Sequence, residues 1–382
     1  MAPDSSTTRP DVRFSLESVG DLERLETEWR ALEDRAEPSL FQSWGWIGTW
    51  LATLPADRRP AVLAGKSDGR TVALALLARM DSRRHGLLLS HGFYLNETGD
   101  PRFDVLTVEY NGILVDQAVG PDAAGKALRY LVNNISGWDE LWLRGVPESY
   151  VERAALAGLW PRIVSRQPCS FVDLATLRAG GSDYLAKLSR NTRYQLRRSL
   201  RLYGERGELT VAAARSAGEA LDFFAEMKTL HQAYWLSRGK PGSFANPYFE
   251  EFHTAFLRDR FAHGEADMLR IAAGGRPIGY LYNFVHAGHV YNYQSGFSYE
   301  DDPVVKPGFV SHYLAIEHYL AGTAAIYDFM AGVGQHKQSL GTDRTFLLEV
   351  MAQRPCMKYR AEEALRNVKQ LVLRTMRPVG RA

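Results

Sequence analysis

The order of elements in this chain occurs twice. "AGKSDGRTVALALL" in the first half is answered by "IAAGGRPIGYLYNF" in the second, each reading strand, Gly-Arg turn, strand. "DELWLRGV" is answered by "IYDFMAGV", each behind an apolar run of helical period. Such self-similarity implies two units of one supersecondary build. Two α/β units side by side leave a cleft at their junction, a favoured place for a ligand.

Periodicity fills in both units. "VRFSLESV" reads as a strand, and "DLERLETEWRALEDRA" and "FQSWGWIGTWLATL" as helices. "GKALRYLVNNI" is a helix and "WDELWLRGV" a strand, while "HGFYLNETGDPRFDVLTVEYNGILV" reads as loop-rich. In the second unit "SDYLAKLSRNTRYQLRRSLRLYGERG" predicts one long helix, followed by a strand and two helices. Three strands joined by "AGGR" and "HAGH" come next. "KPGFVSHYLAIEHYL" is a helix, "AIYDFMAGV" and "FLLEVMAQR" are strands, and the tail from Met357 to Met376 is a basic amphipathic helix. The units are expected at residues 10–178 and 179–382.

A chain of 382 residues, 45% apolar and 24% charged, has the make-up of an ordinary globular protein. Its net charge of +2 excludes a polyanion binder that works through overall charge, so any basic function is local. Cys169 and Cys356 are far apart and give neither a disulfide framework nor a cysteine metal site. The first residues lack a signal-peptide pattern, and no apolar run is long enough to span a bilayer, so a cytoplasmic protein is expected. No histidine spacing suits a metal.

Several strings resemble one family: "LSRNTRYQLRRSLR", "LHQAYWLSRGKPGSF", "YNYQSGF", "KPGFVSHYLAIEHYL" and "YDFMAGVGQHKQSLGT". In this order and spacing they resemble the CelD/BcsL-type acyltransferases, a branch with two GNAT-like halves related to the Fem-type aminoacyl transferases. The resemblance covers roughly residues 10 to 365. It implies an α/β (mixed α+β) fold of tandem GNAT-like domains, each a mostly antiparallel sheet flanked by helices. It also implies N-acyl transfer from a thioester, acyl-CoA or acyl carrier protein, to a primary amine. "NETGDPRFDVLTVEYNG" is similar to a stretch of bacterial ceramide synthases, which implies a lipid-like amino-alcohol as acceptor, with an amino sugar as the next choice. The alternatives are a Fem-type transferase using aminoacyl-tRNA and a non-catalytic module for lipid or nucleic acid.

Acyl transfer to an amine needs a base, an oxyanion donor and a proton for the leaving thiolate. Asp328, inside an apolar strand, and His231, on an apolar helix face, are the candidate bases, each with a structural role as the alternative. Tyr293 is the candidate acid, and Gly296 would let the thioester approach. Where GNAT enzymes carry a glycine-rich pyrophosphate loop, this chain has only "VVKPGF". Lys306 with the backbone of Gly308, Phe309 and Val310 would there hold the donor's phosphate, or merely start a helix. Glu109, Asn111, Trp235, Arg238 and Lys337 are the candidate acceptor contacts. The basic stripe Lys187, Arg190, Arg193, Arg197 and Arg201 fits a solvated face, an acidic carrier protein, anionic lipid, coenzyme A phosphates or tRNA. With the basic tail it would also suit peripheral contact with an anionic membrane.

Overall fold

The computed structural model describes residues 11–84, 88–181, 183–357 and 359. Of the predicted tail helix only Met357 and Tyr359 are described; the rest, with Arg360, Arg366 and Arg374, lies outside the described residues. The first half runs β1 (Arg13–Ser18), α1 (Leu22–Glu33), α2 (Trp44–Thr53), β2 (Ala61–Ser67), β3 (Arg70–Arg84), β4 (Leu88–Leu95), β5 (Leu114–Val115), α3 (Asp122–Asn134), β6 (Glu140–Val146), α4 (Ser149–Leu156) and β7 (Trp160–Asp173). The second runs α5 (Leu174–Ala179), α6 (Tyr184–Lys187), α7 (Arg190–Gly204), β8 (Leu209–Ala213), α8 (Ala217–Leu236), α9 (Pro247–Arg260), β9 (Ala266–Ala273), β10 (Arg276–His286), β11 (His289–Phe297), α10 (Pro307–Leu320), β12 (Ile326–Ala331), α11 (Gln335–Leu340) and β13 (Asp343–Gln353).

All the strands belong to one sheet, whose order β1-β2-β3-β4-β6-β13-β7-β12-β11-β10-β9-β8 is a palindrome, with β5 added beside β3. Each half gives its last strand to the other. β13 pairs with β6, and β7 pairs with β12, while β7 and β13 pair with each other along their lengths. The sheet is antiparallel except at two places, β4 with β6 and β11 with β12, one in each half. This is the tandem GNAT-like, mixed α/β architecture expected from the sequence.

The hairpin turns formed where the sequence put them. Asp68-Gly69, Gly274-Gly275 and Ala287-Gly288 all have positive φ at both central positions, the conformation of a two-residue turn that matches strand twist. Two readings differ. The long helix of the second half is broken between α6 and α7, because Ser189 turns its Oγ onto the Thr192 amide and caps a new helix. The stretches "LLSHGFYL" and "WPRIVSRQPCSFVD" are the strands β4 and β7, although neither shows a clean alternation.

The two faces are built differently. On one face, α3 and α4 cover the first half and α7 and α10 the second, as two separate cores. On the other, α1, α2, α8 and α9 share a single core across both halves. Trp46 of α2 is its pivot: it is 1% exposed and its ring lies 4.7 Å from Phe252 of α9 and 5.6 Å from Phe284 of β10. A buried aromatic of this size contributes a few kcal/mol. Trp46→Ala should therefore cost about 3–5 kcal/mol in denaturant unfolding. Destabilisation below about 1 kcal/mol would mean that the halves are held by the sheet alone.

Candidate active site at the junction of the halves

The site forms where β11 and β12 part. They pair in parallel at His289–Ile326, Val290–Tyr327 and Tyr291–Asp328, and no further. Two irregularities drive them apart. Asn292 and Gln294 face Asn283 and Tyr282, so Tyr293 is an extra residue bulged out of β11. On β12, the register with β7 slips between Asp328 and Ala331, and Met330 sits at φ 62. A left-handed conformation at a residue with a side chain stores strain, which tends to persist at functional sites.

Asp328 is fully buried and has three partners. Its Oδ2 accepts from the Tyr110 hydroxyl and lies 3.1 Å from His289 Nε2, while Oδ1 accepts the Met330 amide at 2.6 Å. Glu109, beside Tyr110, accepts the Ala331 amide at 2.7 Å. Lys337 of α11 donates to the Ala331 and Met330 carbonyls at 2.7 and 3.3 Å. The sequence candidates Asp328, Glu109 and Lys337 thus meet in one cluster, although Lys337 bonds strand carbonyls rather than Asp328. Sequence reasoning missed Tyr110 and His289. Tyr110 adjoins a candidate in the chain, and His289 is the last residue of the turn "HAGH".

Burial governs the charges here. It pushes the Glu109 carboxyl up to about 7, against the lowering effect of the Ala331 amide and Lys337. It pushes Lys337 below the usual lysine range, opposed by Glu109 and Asp328. The Tyr110 phenol is raised by burial and then by Asp328, so it stays a proton donor. Cys169, buried in the strand beside Ala331, is likewise raised by burial and remains a thiol.

A cavity of about 350 Å³ opens onto Glu109 and Ala331. Glu97, Asp104, Glu109 and Glu349 line it, with Arg144 as the counter-charge. Arg144 lies 3.0 Å from Glu349, 3.5 Å from Glu97 and 3.6 Å from Asp104. Burial still lifts Glu97 to about 8. Near neutral pH Glu97 is largely protonated and Glu109 about half so, and a cationic guest in the chamber would favour the charged forms of both. Its wall is the loop 96–112, which crosses β6 so closely that a Cβ on Gly145 would lie 2.2 Å from the Val108 carbonyl oxygen. Asn111 pins that loop, donating to the Leu95 and Arg144 carbonyls at 2.9 and 3.0 Å. A second cavity of about 660 Å³ lies on the other side of the loop, with Tyr110, Ile113, Leu114, Pro147, Phe346 and Leu347 in its wall.

The remaining candidates make no hydrogen bond to this cluster. The Tyr293 hydroxyl is buried with no hydrogen-bond partner; burial first, then Glu109, raises its pKa. His231 has both ring nitrogens engaged, with Nδ1 3.2 Å from the Ser295 carbonyl and Nε2 accepting the Ser243 amide at 3.4 Å; burial lowers its pKa. It joins α8 to β11 and does not meet Asp328. Gly296 faces α8, where a Cβ would lie 2.3 Å from the Met227 carbonyl oxygen. Trp235 lies under Lys240, and exposed Arg238 stacks on Tyr234. Pro307 opens α10; Lys306 donates its amide to Ser199 Oγ at 2.9 Å and extends its ammonium over Phe309. Phe309 and Val310 are buried, and Gly308 lies against the Phe297 ring. Pro307 has no N–H and the Val310 amide donates to the Lys306 carbonyl at 3.1 Å, so of the first turn of α10 only the Gly308 and Phe309 amides lack a helical carbonyl, and Val310 drops out as a phosphate contact. Among the described residues, no group of His, Cys, Asp and Glu could hold a metal, and no helix is long and apolar enough to cross a membrane.

Residues 190–338 match the family described as acetyltransferase (GNAT) domain. No curated protein matches the chain. Among solved structures, FemX superposes with a TM-score of 0.56 at 12% identity, over 92% of this chain and 99% of its own. L-PGS from Bacillus licheniformis gives 0.51 at 12% identity, over 91% and 96%. The C-terminal domain of a protein described as a lysylphosphatidylglycerol synthetase, from Agrobacterium fabrum, gives 0.51 at 12%, over 92% and 98%. At such identities the likeness is one of fold. Residues 190–338 therefore carry an acyltransferase domain of the GNAT type, within a chain of two like halves.

The buried carboxyls make stability depend on pH. Glu109 holds its proton more tightly in the folded than in the unfolded chain, whose value is 4.5. Its contribution is therefore fully present below that value and is lost as the pH rises through about 7. Glu109→Gln keeps an acceptor for Ala331 and never ionises. It should exceed the wild type in stability at pH 8 by up to about 3 kcal/mol and match it near pH 4. Equal stability of the two proteins at both pH values would place Glu109 in a solvated setting.

Proposed function

We propose that the protein is an N-acyltransferase whose second half takes a thioester donor and whose junction cavity takes a primary amine. The boundary between the units, expected at residues 178/179, falls within α5 (Leu174–Ala179). The observation that carries this reading is Glu109, a carboxyl raised to about 7 in the wall of an acidic cavity, beside the parting of β11 and β12. An ammonium is drawn to such a chamber, and a carboxylate of that basicity can take its proton near neutral pH. The freed amine attacks the thioester carbon; a C–N bond forms and the C–S bond breaks. Glu109 releases the ammonium's first proton to solvent and takes the second as the amide forms. The leaving thiolate takes its proton from the Tyr293 hydroxyl, which Glu109 then restores with that second proton. Backbone N–H groups at the Tyr293 bulge hold the oxyanion. Asp328 acts as a positioning residue, fixing Tyr110, His289 and the Met330 turn.

The donor is an acyl thioester of coenzyme A or of a carrier protein, its phosphate held by Lys306 and the Gly308 and Phe309 amides. For the acceptor, the apolar part of the larger cavity's wall, Ile113, Leu114, Pro147 and Phe346, set beside polar Gln42, Asp116 and Gln117 and sharing Leu347 with the acidic cavity, supports a lipid-like amino-alcohol over an amino sugar. The fold likeness to FemX favours one second reading, aminoacyl transfer from aminoacyl-tRNA. A non-catalytic module would bind an amine without consuming any donor.

Thiol release from acyl-CoA, measured with a panel of primary amines, separates these readings. Transfer from thioesters is expected; transfer only from aminoacyl-tRNA, or none, overturns the proposal. Lys306→Ala should raise the donor KM by the equivalent of about 1–2 kcal/mol, and an unchanged KM would leave Pro307 as a plain helix start. Asp328→Asn should lower kcat by about 10²-fold in a folded protein, the size of a misplacement of the reacting groups. A folded variant with normal kcat would remove Asp328 from the machinery.

A further inference from the structure

We propose that the exposed face of α7 is a docking surface for an acidic carrier protein that brings the acyl thioester to the start of α10. This rests on reading α10 as the donor site. α7 carries Arg190, Arg193, Arg197, Arg198 and Arg201 and no acidic residue. Arg193 is spent on the Leu188 and Ala186 carbonyls, and Arg201 lies 3.7 Å from Glu205. Arg190, Arg197 and Arg198 are exposed, and among the described residues none of the three has an ion-pair partner. In a chain of net charge +2, such a run of unneutralised guanidiniums is local and directed.

α7 is also tied to the donor helix. Its Ser199 accepts the Lys306 amide, and its Leu196 and Tyr203 share one core with Phe309 and Val310 of α10. A partner held on α7 is therefore held beside the turn that would take the phosphodiester of a phosphopantetheine arm. From Arg190 to Arg198 the helix rises about 12 Å, the scale of a partner helix rather than of one phosphate. RNA fits less well, because Tyr194, 64% exposed, is the one stacking surface and Tyr203 is buried. A bilayer fits less well too, because Leu196 is buried in the core and Leu200 packs against it. The exposed Asp301 and Asp302 before α10 carry the opposite sign, so a partner's acids must meet α7 itself.

The test compares the full chain with its Arg190→Glu/Arg197→Glu/Arg198→Glu variant. A labelled acyl carrier protein is titrated by fluorescence anisotropy, and kcat/KM is measured with acylated carrier protein, acyl-CoA and acyl-pantetheine. The variant should bind carrier at least tenfold more weakly and lose at least tenfold in kcat/KM on the acylated carrier. Acyl-pantetheine, which has neither protein nor nucleotide, should change less than twofold. Equal losses on all three donors would make α7 structural and overturn the proposal. If the wild type consumes acyl-pantetheine but binds no carrier, docking falls and the donor site stands. If the wild type binds tRNA or phosphatidylglycerol vesicles through these arginines but not the carrier, the surface belongs to that partner. If no thioester is consumed, the donor site falls as well.

Discussion

The pairing of β7 with β13 is the constraint on which the rest depends. It runs from Asp343–Phe171 to Gln353–Trp160, and each of the two strands also pairs with the other half's parallel strand. The halves cannot separate without breaking sheet hydrogen bonds, each with its own desolvation cost. That rigidity lets residues from distant parts of the chain be aimed at one point. Glu109 and Tyr110 come from a loop of the first half; Asp328, Ala331 and Lys337 come from the second. The single core under Trp46 holds the same alignment from one face of the sheet.

The cluster is costly to the fold. Asp328 and Glu109 are removed from water, and Tyr110 and Met330 are both left-handed, at φ 51 and 62. Burial of carboxylates and left-handed backbone each work against stability, and their concentration where β11 and β12 part is hard to assign to folding alone. The acidic cavity adds to this cost, since burial lifts Glu97 to about 8 and Arg144 is shared among three acids. A cationic guest would favour the charged forms that burial disfavours. Function and strain thus meet at the same residues.

Much of the fold was legible because its signals are local. The turns "SDGR", "AGGR" and "HAGH" carry hairpin chemistry, and the repeated order of elements announced two like units. Asp328 stood out as a carboxylate within an apolar strand, and Glu109 as an acid in a polar loop. What stayed hidden depends on long-range register. Nothing in "PRIVSRQPCSFVDLA" says that β7 will lie between strands of the other half. His289 reaches Asp328 only through a three-residue parallel pairing, and Tyr110 only because the loop 96–112 crosses β6 at Gly145. The helix break at Ser189 was readable as a cap with Thr192, but the strong apolar period on both sides concealed it. Gly296 illustrates a further ambiguity: a close approach requires glycine whether a ligand or, as here, α8 lies opposite.

The central claim is that Glu109 is the base that receives the proton of the amine. Its titration can be followed directly, by difference infrared spectroscopy of the carboxyl band between the wild type and Glu109→Gln. The account predicts a carboxyl that titrates near pH 7 and is absent from the variant. It further predicts that a bound primary amine lowers this value, because the ammonium favours the carboxylate. A Glu109 that titrates at the ordinary carboxylate value, with or without amine, would contradict the claim.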